Sequence, residues 1–262
     1  MTRAPHADLD RPVQRLRIRF AKRGRLRFTS HRDFQRAFER ALRRAEIPIA
    51  YSQGYSPHPR VSYAGAAPTG VASEAEYLEI AVTARCDSSV VLARLDDALP
   101  PGLDIVEVVE ASAGSLADRL TASEWEIRVP ESSPGELSAA VTAFLEAESV
   151  EVERPTKTGV KTVDARTSVV RLAVAGEYKD PPCAILKVVV RHGTPTVRPD
   201  DVLAGLRRVA SLAPPLPSLA TRLAQGPLDE ESGTVGDPLD LDRDAALPGP
   251  AGAEGPTKPA DV

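Results

Sequence analysis

The strongest constraint on the fold lies in residues 14–20, where cationic and apolar side chains alternate without a break after Gln14. The alternation returns over residues 25–28. Because successive side chains of a strand point to opposite faces of a sheet, both segments are predicted to be strands. Their apolar side chains would enter a core while their guanidinium groups share the other face. The core side consists of Leu16, Ile18, Phe20, Leu26 and Phe28, and the cationic side of Arg15, Arg17, Arg19, Arg25 and Arg27.

The distribution of charge along the chain is uneven. Residues 11–64 hold fourteen Arg or Lys against three Asp or Glu, although the formal net charge of the chain is −4. Arginines crowded on one sheet face repel one another, so such a face is expected to meet an anionic partner such as a nucleic acid. From residue 214 onward the balance reverses, with nine acidic residues against three basic ones.

A helix is predicted directly after the two basic segments. Ser30 and Asp33 are typical of a helix start, and apolar residues at helical spacing from Phe34 to Ala45 predict its buried side. His31, near the exposed amides of the first turn, is expected either to meet an anion or to cap the helix. A second stripe, predicted to be either a solvated face or a phosphate contact, consists of Arg32, Arg36, Arg40 and Arg44.

A Gly- and Pro-rich loop over residues 51–70 is the strongest candidate site in the sequence. Aromatic rings and cations close together suit single-stranded RNA, because rings stack on bases and cations hold phosphates. A proline-stiffened surface loop whose tyrosines pack on the core is the alternative. The relevant residues are Tyr51, Tyr55, His58, Arg60 and Tyr63.

The order of predicted elements indicates an α+β fold with two ferredoxin-like (split β-α-β) units in tandem. A disordered acidic tail, rich in Pro, Gly and Ala, is predicted to follow them. The predicted divisions are a disordered leader over 1–13, a basic ferredoxin-like domain over 14–111, a connector over 112–122, a second α+β domain over 123–212 and the tail over 213–262.

Several functional classes find no support in the sequence. There is no apolar run long enough for a transmembrane helix and no apolar signal region, so we expect a cytoplasmic protein that does not bind membranes. The two cysteines, Cys86 and Cys183, fit no zinc or iron–sulfur spacing, and no metal or other cofactor is expected. Nucleotide-binding loops, serine elbows and paired-carboxylate motifs are also missing.

Much of the chain, about residues 14–210, matches the pattern of a known family. The stronger matches are Arg17-Ile18-Arg19-Phe20, Lys22, Gly24, Leu26-Arg27-Phe28, Ser30-His31, Asp33, Ala50-Tyr51-Ser52, Gly54-Tyr55, Pro57, Pro59-Arg60, Ser62, Ala64, Pro68, Gly70, Ser73 and Glu76-Tyr77. Weaker ones are Asp164-Ala165-Arg166 and Val197-Arg198-Pro199-Asp200. The sequence resembles the radical-SAM-linked proteins, a bacterial family built around a domain of unknown function that occurs alone or fused behind a radical SAM enzyme.

The resemblance implies a connection to radical chemistry but no particular activity for this domain. A radical SAM cluster needs three closely spaced cysteines, and this chain has two that lie far apart. If the connection is functional, a separate radical SAM enzyme must supply the chemistry.

Three functions remain open at this point. The first is an RNA-binding accessory protein that works in RNA modification or processing with a radical SAM enzyme or a ribonuclease. The second is a metal-independent RNA-processing enzyme with His31 or His58 as general acid or base. The third is a protein–protein adaptor whose arginines pair with an acidic partner or with its own tail. The predicted RNA-binding residues are Arg15, Arg17, Arg19, Lys22, Arg25, Arg27, His31, Arg32, Arg36, Tyr51, Tyr55, His58, Arg60 and Tyr63.

Overall fold

The computed structural model describes residues 11–156, 159–179, 182–210 and 217–246. These residues form a mixed α+β structure, as the sequence predicts. The strands are β1 (Gln14–Lys22), β2 (Val61–Ala64), β3 (Ala72–Val82), β4 (Ile105–Glu110), β5 (Ala122–Pro130), β6 (Glu151–Thr156), β7 (Gly159–Asp164), β8 (Val169–Lys179), β9 (Pro182–Arg191), β10 (Leu219–Gly226), β11 (Leu228–Asp229) and β12 (Thr234–Val235). The α-helices are α1 (His31–Arg44), α2 (Ser88–Ala98), α3 (Leu116–Arg119), α4 (Pro134–Glu146), α5 (Pro199–Ala210) and α6 (Asp240–Ala246).

One large mixed sheet organises the described chain. Its strand order is β4-β1-β3-β10-β5-β9-β8, and β2 pairs with β3 beside this path. The only parallel pair among the described strands of this sheet is β3 with β10, where Thr221 pairs with Ala72 and Arg222 with Ser73. That short pairing joins the strands of the N-terminal half to those of the C-terminal half.

Each half of the sheet has its own hydrophobic core. In the N-terminal half, alternate side chains of β1 and β3 pack against α1 and α2, with Ile18 and Phe38 fully buried. In the C-terminal half, β5 and β9 pack against α4 and α5, with Ile127 and Phe144 fully buried. Burial of these apolar side chains is the main stabilising contribution to both halves.

The local signals for two helices are confirmed. The Ser30 hydroxyl accepts a hydrogen bond from the amide of Asp33 and so caps α1. Ser133 and Glu136 form a capping box at the start of α4, with Pro134 in the first turn. Because these signals depend only on neighbouring residues, they can be identified from the sequence alone.

The predicted strand over residues 25–28 is wrong. Gly24–Phe28 is a short 3-10 helix, in which the amide of Leu26 donates to the Arg23 carbonyl at 3.0 Å. The reason is that β1 already has a neighbour on each side, β3 and β4, and therefore has no free edge for another strand. As a result, Phe28 is 59% exposed instead of entering the core.

The predicted disordered tail is also wrong over residues 217–246. This stretch supplies β10, which lies inside the sheet between β3 and β5, followed by β11, β12 and α6. Residues 213–216 and 247–262 of the predicted tail, and residues 1–10 of the predicted leader, lie outside the described residues. The predicted connector contains α3, and its last residue, Ala122, begins β5.

Candidate nucleic-acid interface

The arginines of β1, predicted to form an open cationic face, are paired with carboxylates. Arg15 lies 3.3 Å from Glu79, and Arg17 lies 3.0 Å from the same side chain. Arg19 Nη1 is 4.0 Å from a carboxylate oxygen of Asp237. The charge of this face is therefore neutralised within the protein, which corrects the prediction of a free phosphate-binding sheet face.

The C-terminal segment covers the β1 face. Asp242 of α6 accepts from Arg17 Nη1 at 2.7 Å, and Arg17 is only 1% exposed. Arg243 of the same helix lies 2.6 Å from Glu107 on β4. The acidic end of the described chain thus serves as the internal counter-charge of the basic strand. The sequence predicts the two charges separately but carries no local signal that they meet.

Lys22 is also not available to phosphate, because it is buried at the end of β1. Its ammonium group donates to the carbonyls of Ala67 and Pro68, each at 3.3 Å. Burial lowers the pKa of Lys22. The side chain holds the loop after β2 against the sheet, which is a structural role.

The 3-10 helix places one cation and one ring in solvent. Arg25 is exposed, while the half-buried guanidinium of Arg27 lies 4.8 Å from the centre of the Phe28 ring. That distance is a cation–π contact. An exposed aromatic ring supported by an arginine offers a flat apolar surface next to positive charge.

Helix α1 carries a row of exposed cations in the N-terminal half. Its apolar side packs into the core, so its arginines face solvent at i, i+4 spacing. The side chains of Arg32, Arg36 and Arg40 are exposed and have no hydrogen bond or ion pair to any described residue. Arg43 shares this property, whereas Arg44 donates to the carbonyl of Ala98 at 3.3 Å.

His31 begins α1 and is exposed. Its Nε2 lies 3.1 Å from Nε2 of Gln35, and its ring packs edge-on against Tyr63 with centroids 5.1 Å apart. Burial raises the pKa of Tyr63. His31, Tyr63 and Lys22 line one small cavity of about 20 Å³, which is room for about one water molecule.

The predicted binding residues in the loop after α1 differ in their exposure to solvent. Tyr51 packs partly against the core and forms a bridge to Pro59, whereas Tyr55 is fully exposed at the tip of the loop. His58 is exposed, and its amide donates to the Ser52 hydroxyl at 3.0 Å. Arg60 is exposed and lies beside Arg15 in a cleft of about 200 Å³ on the sheet.

The structure therefore redistributes the predicted site. On α1 and the 3-10 helix before it, the exposed predicted residues are Arg25, His31, Arg32 and Arg36, while the β1 arginines are ion-paired with carboxylates of the protein. The RNA-binding residues predicted from the sequence do not include Arg40, although its i, i+4 spacing from Arg36 indicates the same exposed face of α1. They do not include Phe28 either, because its alternation with arginines predicts a core position.

Neither proposed catalytic histidine has a carboxylate partner in the described residues. In the same part of the chain, no cluster of three His, Cys, Asp or Glu side chains could hold a metal ion. None of the described helices is long and apolar enough to cross a bilayer. The geometry on α1 is suited to binding an anion by cations and rings.

The chain matches a bacterial family over most of its length. The family model, described as "Uncharacterized protein conserved in bacteria (DUF2344)", covers residues 15–199. No curated protein matches. Among solved structures, DyPB from Rhodococcus jostii RHA1 (crystal form 2) is 13% identical, with 79% of this chain and 88% of that chain covered and a TM-score of 0.19. A single-substitution variant of DypB in complex with manganese is 12% identical, with the same coverage and TM-score. Such TM-scores do not establish a shared fold, but the family match shows that this chain belongs to the bacterial family DUF2344.

Proposed function

We propose that this protein is an RNA-binding accessory protein that contacts RNA through one surface of its N-terminal half. We call this the helix surface and define it by Arg25, Phe28, Arg32, Arg36 and Arg40. The observation that carries the proposal is the contrast between two sets of arginines. Those of β1 have carboxylate partners, whereas those of the helix surface have none among the described residues.

Unpaired arginines at i, i+4 spacing repel one another and cost a helix about 0.2–0.5 kcal/mol per pair. A row of RNA phosphates would neutralise these arginines and remove their mutual repulsion. Binding would also release the counter-ions condensed on the RNA. Arg32, Arg36 and Arg40 lie on successive turns of α1, so about 12 Å separates the first from the last along the helix axis. Such spacing suits phosphates of one strand.

Exposed rings favour RNA over a purely acidic protein partner. Phe28 has the Arg27 guanidinium 4.8 Å from its ring centre, and Tyr55 stands fully in solvent at the tip of the loop after α1. Stacking of a base on such a ring contributes about 1–3 kcal/mol in single-stranded nucleic-acid binding. The carboxylates of an acidic protein surface would pair with the arginines, but they would not stack on the rings as bases do.

We further propose that the two halves are tandem ferredoxin-like units. The strand order is β4-β1-β3-β2 in the N-terminal half and β10-β5-β9-β8 in the C-terminal half. When the strands of each half are numbered from its own first strand and the β6–β7 hairpin is left out, the two orders are the same. Every pairing within them is antiparallel. The β6–β7 hairpin is then an insertion after α4. In this arrangement the N-terminal half binds RNA with a helix, because α6 and the segment before it lie on its sheet face.

The proposed setting is the bacterial cytoplasm, with a separate radical SAM enzyme or ribonuclease as the protein partner. This part is supported by the sequence resemblance and by the cysteine content, since two distant cysteines cannot hold a radical SAM cluster. The accessory protein would hold RNA while the partner modifies or cleaves it.

The test compares two pairs of exposed helix arginines. Arg36→Gln with Arg40→Gln removes two cations from the helix surface, and Arg207→Gln with Arg208→Gln removes two from α5, where both side chains are also exposed. Binding of a fluorescently labelled single-stranded 20-mer RNA is measured by anisotropy at several salt concentrations.

We expect the first pair to weaken binding by at least tenfold and to reduce the slope of log K against log salt by about 2, one for each lost phosphate contact. The α5 pair should bind like the parent protein. Equal binding by both variants, with cooperative unfolding intact in both, would overturn the proposal. If the parent protein retained an acidic protein but no RNA, the adaptor function would replace it.

A further inference from the structure

A cavity of about 350 Å³ lies between the two halves of the protein. Its walls come from the loop after β2, from β5, β9 and β10, and from the segment that leads into α5. The volume is within the usual range of small-molecule sites. The polar or aromatic residues that matter here are Ser123, Trp125, His192, Arg198, Arg222 and Gln225.

Pairing of β5 with β10 brings four of these residues together. Ser123 is the register partner of Gln225, and Trp125 is the partner of Arg222. Directly paired side chains on neighbouring strands lie about 5 Å apart on the same face. About one hundred positions separate them in the chain, so no sequence motif marks this site.

Ser123 and His192 form a defined hydrogen-bonded pair at the cavity. His192 Nδ1 lies 2.7 Å from the carbonyl oxygen of Leu120 and must donate to it, since that oxygen only accepts. Burial lowers the pKa of His192, which favours the neutral ring. Nε2 then accepts from the Ser123 hydroxyl at 2.6 Å. Both side chains are thus fixed in orientation before any ligand arrives.

Gln225 has a donor without an acceptor. Its Oε1 accepts from Arg222 Nη1 at 2.7 Å, which fixes the amide and directs Nε2 away from that guanidinium. Gln225 is 1% exposed, and its Nε2 has no hydrogen-bond partner among the described residues. A buried unsatisfied donor costs about 1–3 kcal/mol, and an acceptor supplied by a ligand would remove that cost.

The charge around the cavity favours an anion. The described residues that line it include two arginines and no Asp or Glu. Arg222 is buried and paired with Glu76. Arg198, by contrast, is exposed at the cavity, and its side chain has no partner in the parts of the chain that the structure describes. Arg198 and Gln225 both line the cavity, and the oxygen atoms of an anionic group would satisfy the unpaired cation of the first and the buried unpaired donor of the second.

We propose that this cavity binds a small molecule that carries a phosphate or a carboxylate group. The anionic group accepts from Gln225 Nε2 and lies within the field of Arg198 and Arg222, while Ser123 and His192 contact the polar remainder. None of the described residues that line this site belongs to the helix surface, and the proposal does not depend on RNA binding.

The protein contains a single tryptophan, Trp125, so its fluorescence reports on this cavity directly. The full-length protein is titrated with glycerol 3-phosphate and, separately, with citrate at constant ionic strength. We expect a saturable fluorescence change with half-saturation below about 10 mM for at least one of them. The two arms distinguish a phosphate ligand from a carboxylate ligand.

Two variants test the assigned contacts. Gln225→Glu keeps the oxygen that accepts from Arg222 but replaces the free donor with a negative oxygen, and Arg198→Gln removes the exposed cation. Each should weaken binding at least tenfold, whereas Arg208→Gln at the far end of α5 should not change it. If Gln225→Glu fails to fold, Arg198→Gln decides alone.

No saturation by either compound below about 10 mM would overturn the proposal. So would equal affinity in Arg198→Gln and Arg208→Gln. RNA binding by the same preparation serves as a separate measurement, so a failure here leaves the helix-surface proposal standing.

Discussion

Arg17 Nη1 donates to Asp242 Oδ1 at 2.7 Å across 225 positions of the chain, and both side chains are almost completely buried. The same oxygen of Asp242 accepts from the amide and the hydroxyl of Ser112, at 2.8 Å and 2.6 Å, and its other oxygen accepts from Arg119 at 2.9 Å. This carboxylate therefore joins β1, the segment before α3 and the C-terminal helix α6. The basic N-terminal strand is completed by the acidic end of the described chain.

Asp242→Asn should destabilise the protein strongly. The substitution removes one of the two carboxylates that pair with the buried Arg17 guanidinium, and breaking a buried pair in this way costs about 3–5 kcal/mol. The free energy of unfolding from urea denaturation, followed by circular dichroism, measures the effect. Asp244→Asn is the matched control, because Asp244 lies exposed on the same helix, and it should change stability by less than about 0.5 kcal/mol. Equal stability of the two variants would disprove the role of Asp242.

The contribution of Asp242 should disappear in acid. Burial works against the charged carboxylate, but hydrogen bonds from Ser112, Arg17 and Arg119 outweigh it and hold the pKa of Asp242 below its ordinary value of 3.8. A carboxylate with a lowered pKa in the folded state stabilises the protein fully above its unfolded pKa. That stabilisation is lost as the pH falls through the folded pKa.

Comparing the parent protein with Asp242→Asn at each pH separates the effect of Asp242 from that of the other carboxyl groups. The difference in unfolding free energy between the parent protein and Asp242→Asn should be constant from pH 7 to about pH 5 and then shrink below pH 3.8. Urea denaturation at a series of pH values measures it. A difference that stays constant down to the acid unfolding limit would show that the charge of Asp242 is unimportant.

Local features of this fold are predictable from the sequence, and long-range pairings are not. The start of α1 at Ser30 and the capping box at Ser133 depend on hydrogen bonds between residues three positions apart. The core side of β1 follows from simple alternation, with Leu16 and Ile18 fully buried. In these places the chemistry that decides the structure lies within one turn or one strand.

The exposure of each arginine depends instead on distant carboxylates. Arg17 and Arg36 look alike in the sequence, each in a regular basic pattern, yet the first is buried with Asp242 and the second is free in solvent. Likewise, residues 219–226 form an internal strand because β3 and β5 offer edges on both sides. The Pro- and Gly-rich composition around that segment instead indicates disorder. The composition of a segment does not show whether distant strands such as β3 and β5 leave edges with which it can pair.

Phe28→Ala should weaken RNA binding without reducing stability. The ring is 59% exposed, so its loss removes little buried apolar surface. If it stacks on one base, the affinity should fall by about 1–3 kcal/mol, which is roughly 5- to 150-fold. Anisotropy with a single-stranded RNA 20-mer measures this. Tyr178→Ala, which removes a half-exposed ring with an arginine 5.0 Å from its centre in the C-terminal half, should leave affinity unchanged. Identical losses in both variants would argue against a specific role for Phe28.

Gly65→Ala should be more destabilising than Gly24→Ala, although both glycines have a positive φ, +56° and +53°. A Cβ at Gly24 would meet no atom of the described residues within 4 Å, so that variant reports the backbone cost of about 1 kcal/mol. A Cβ at Gly65 would lie 2.5 Å from Oε1 of Gln225, which Arg222 holds in place. The clash pushes apart the loop after β2 and β10, so we expect at least about 1 kcal/mol beyond the Gly24 value. Urea denaturation of both variants gives the difference. If Gly65→Ala costs no more than Gly24→Ala, the loop does not rest tightly on Gln225, and the wall that it forms for the cavity between the halves is loose.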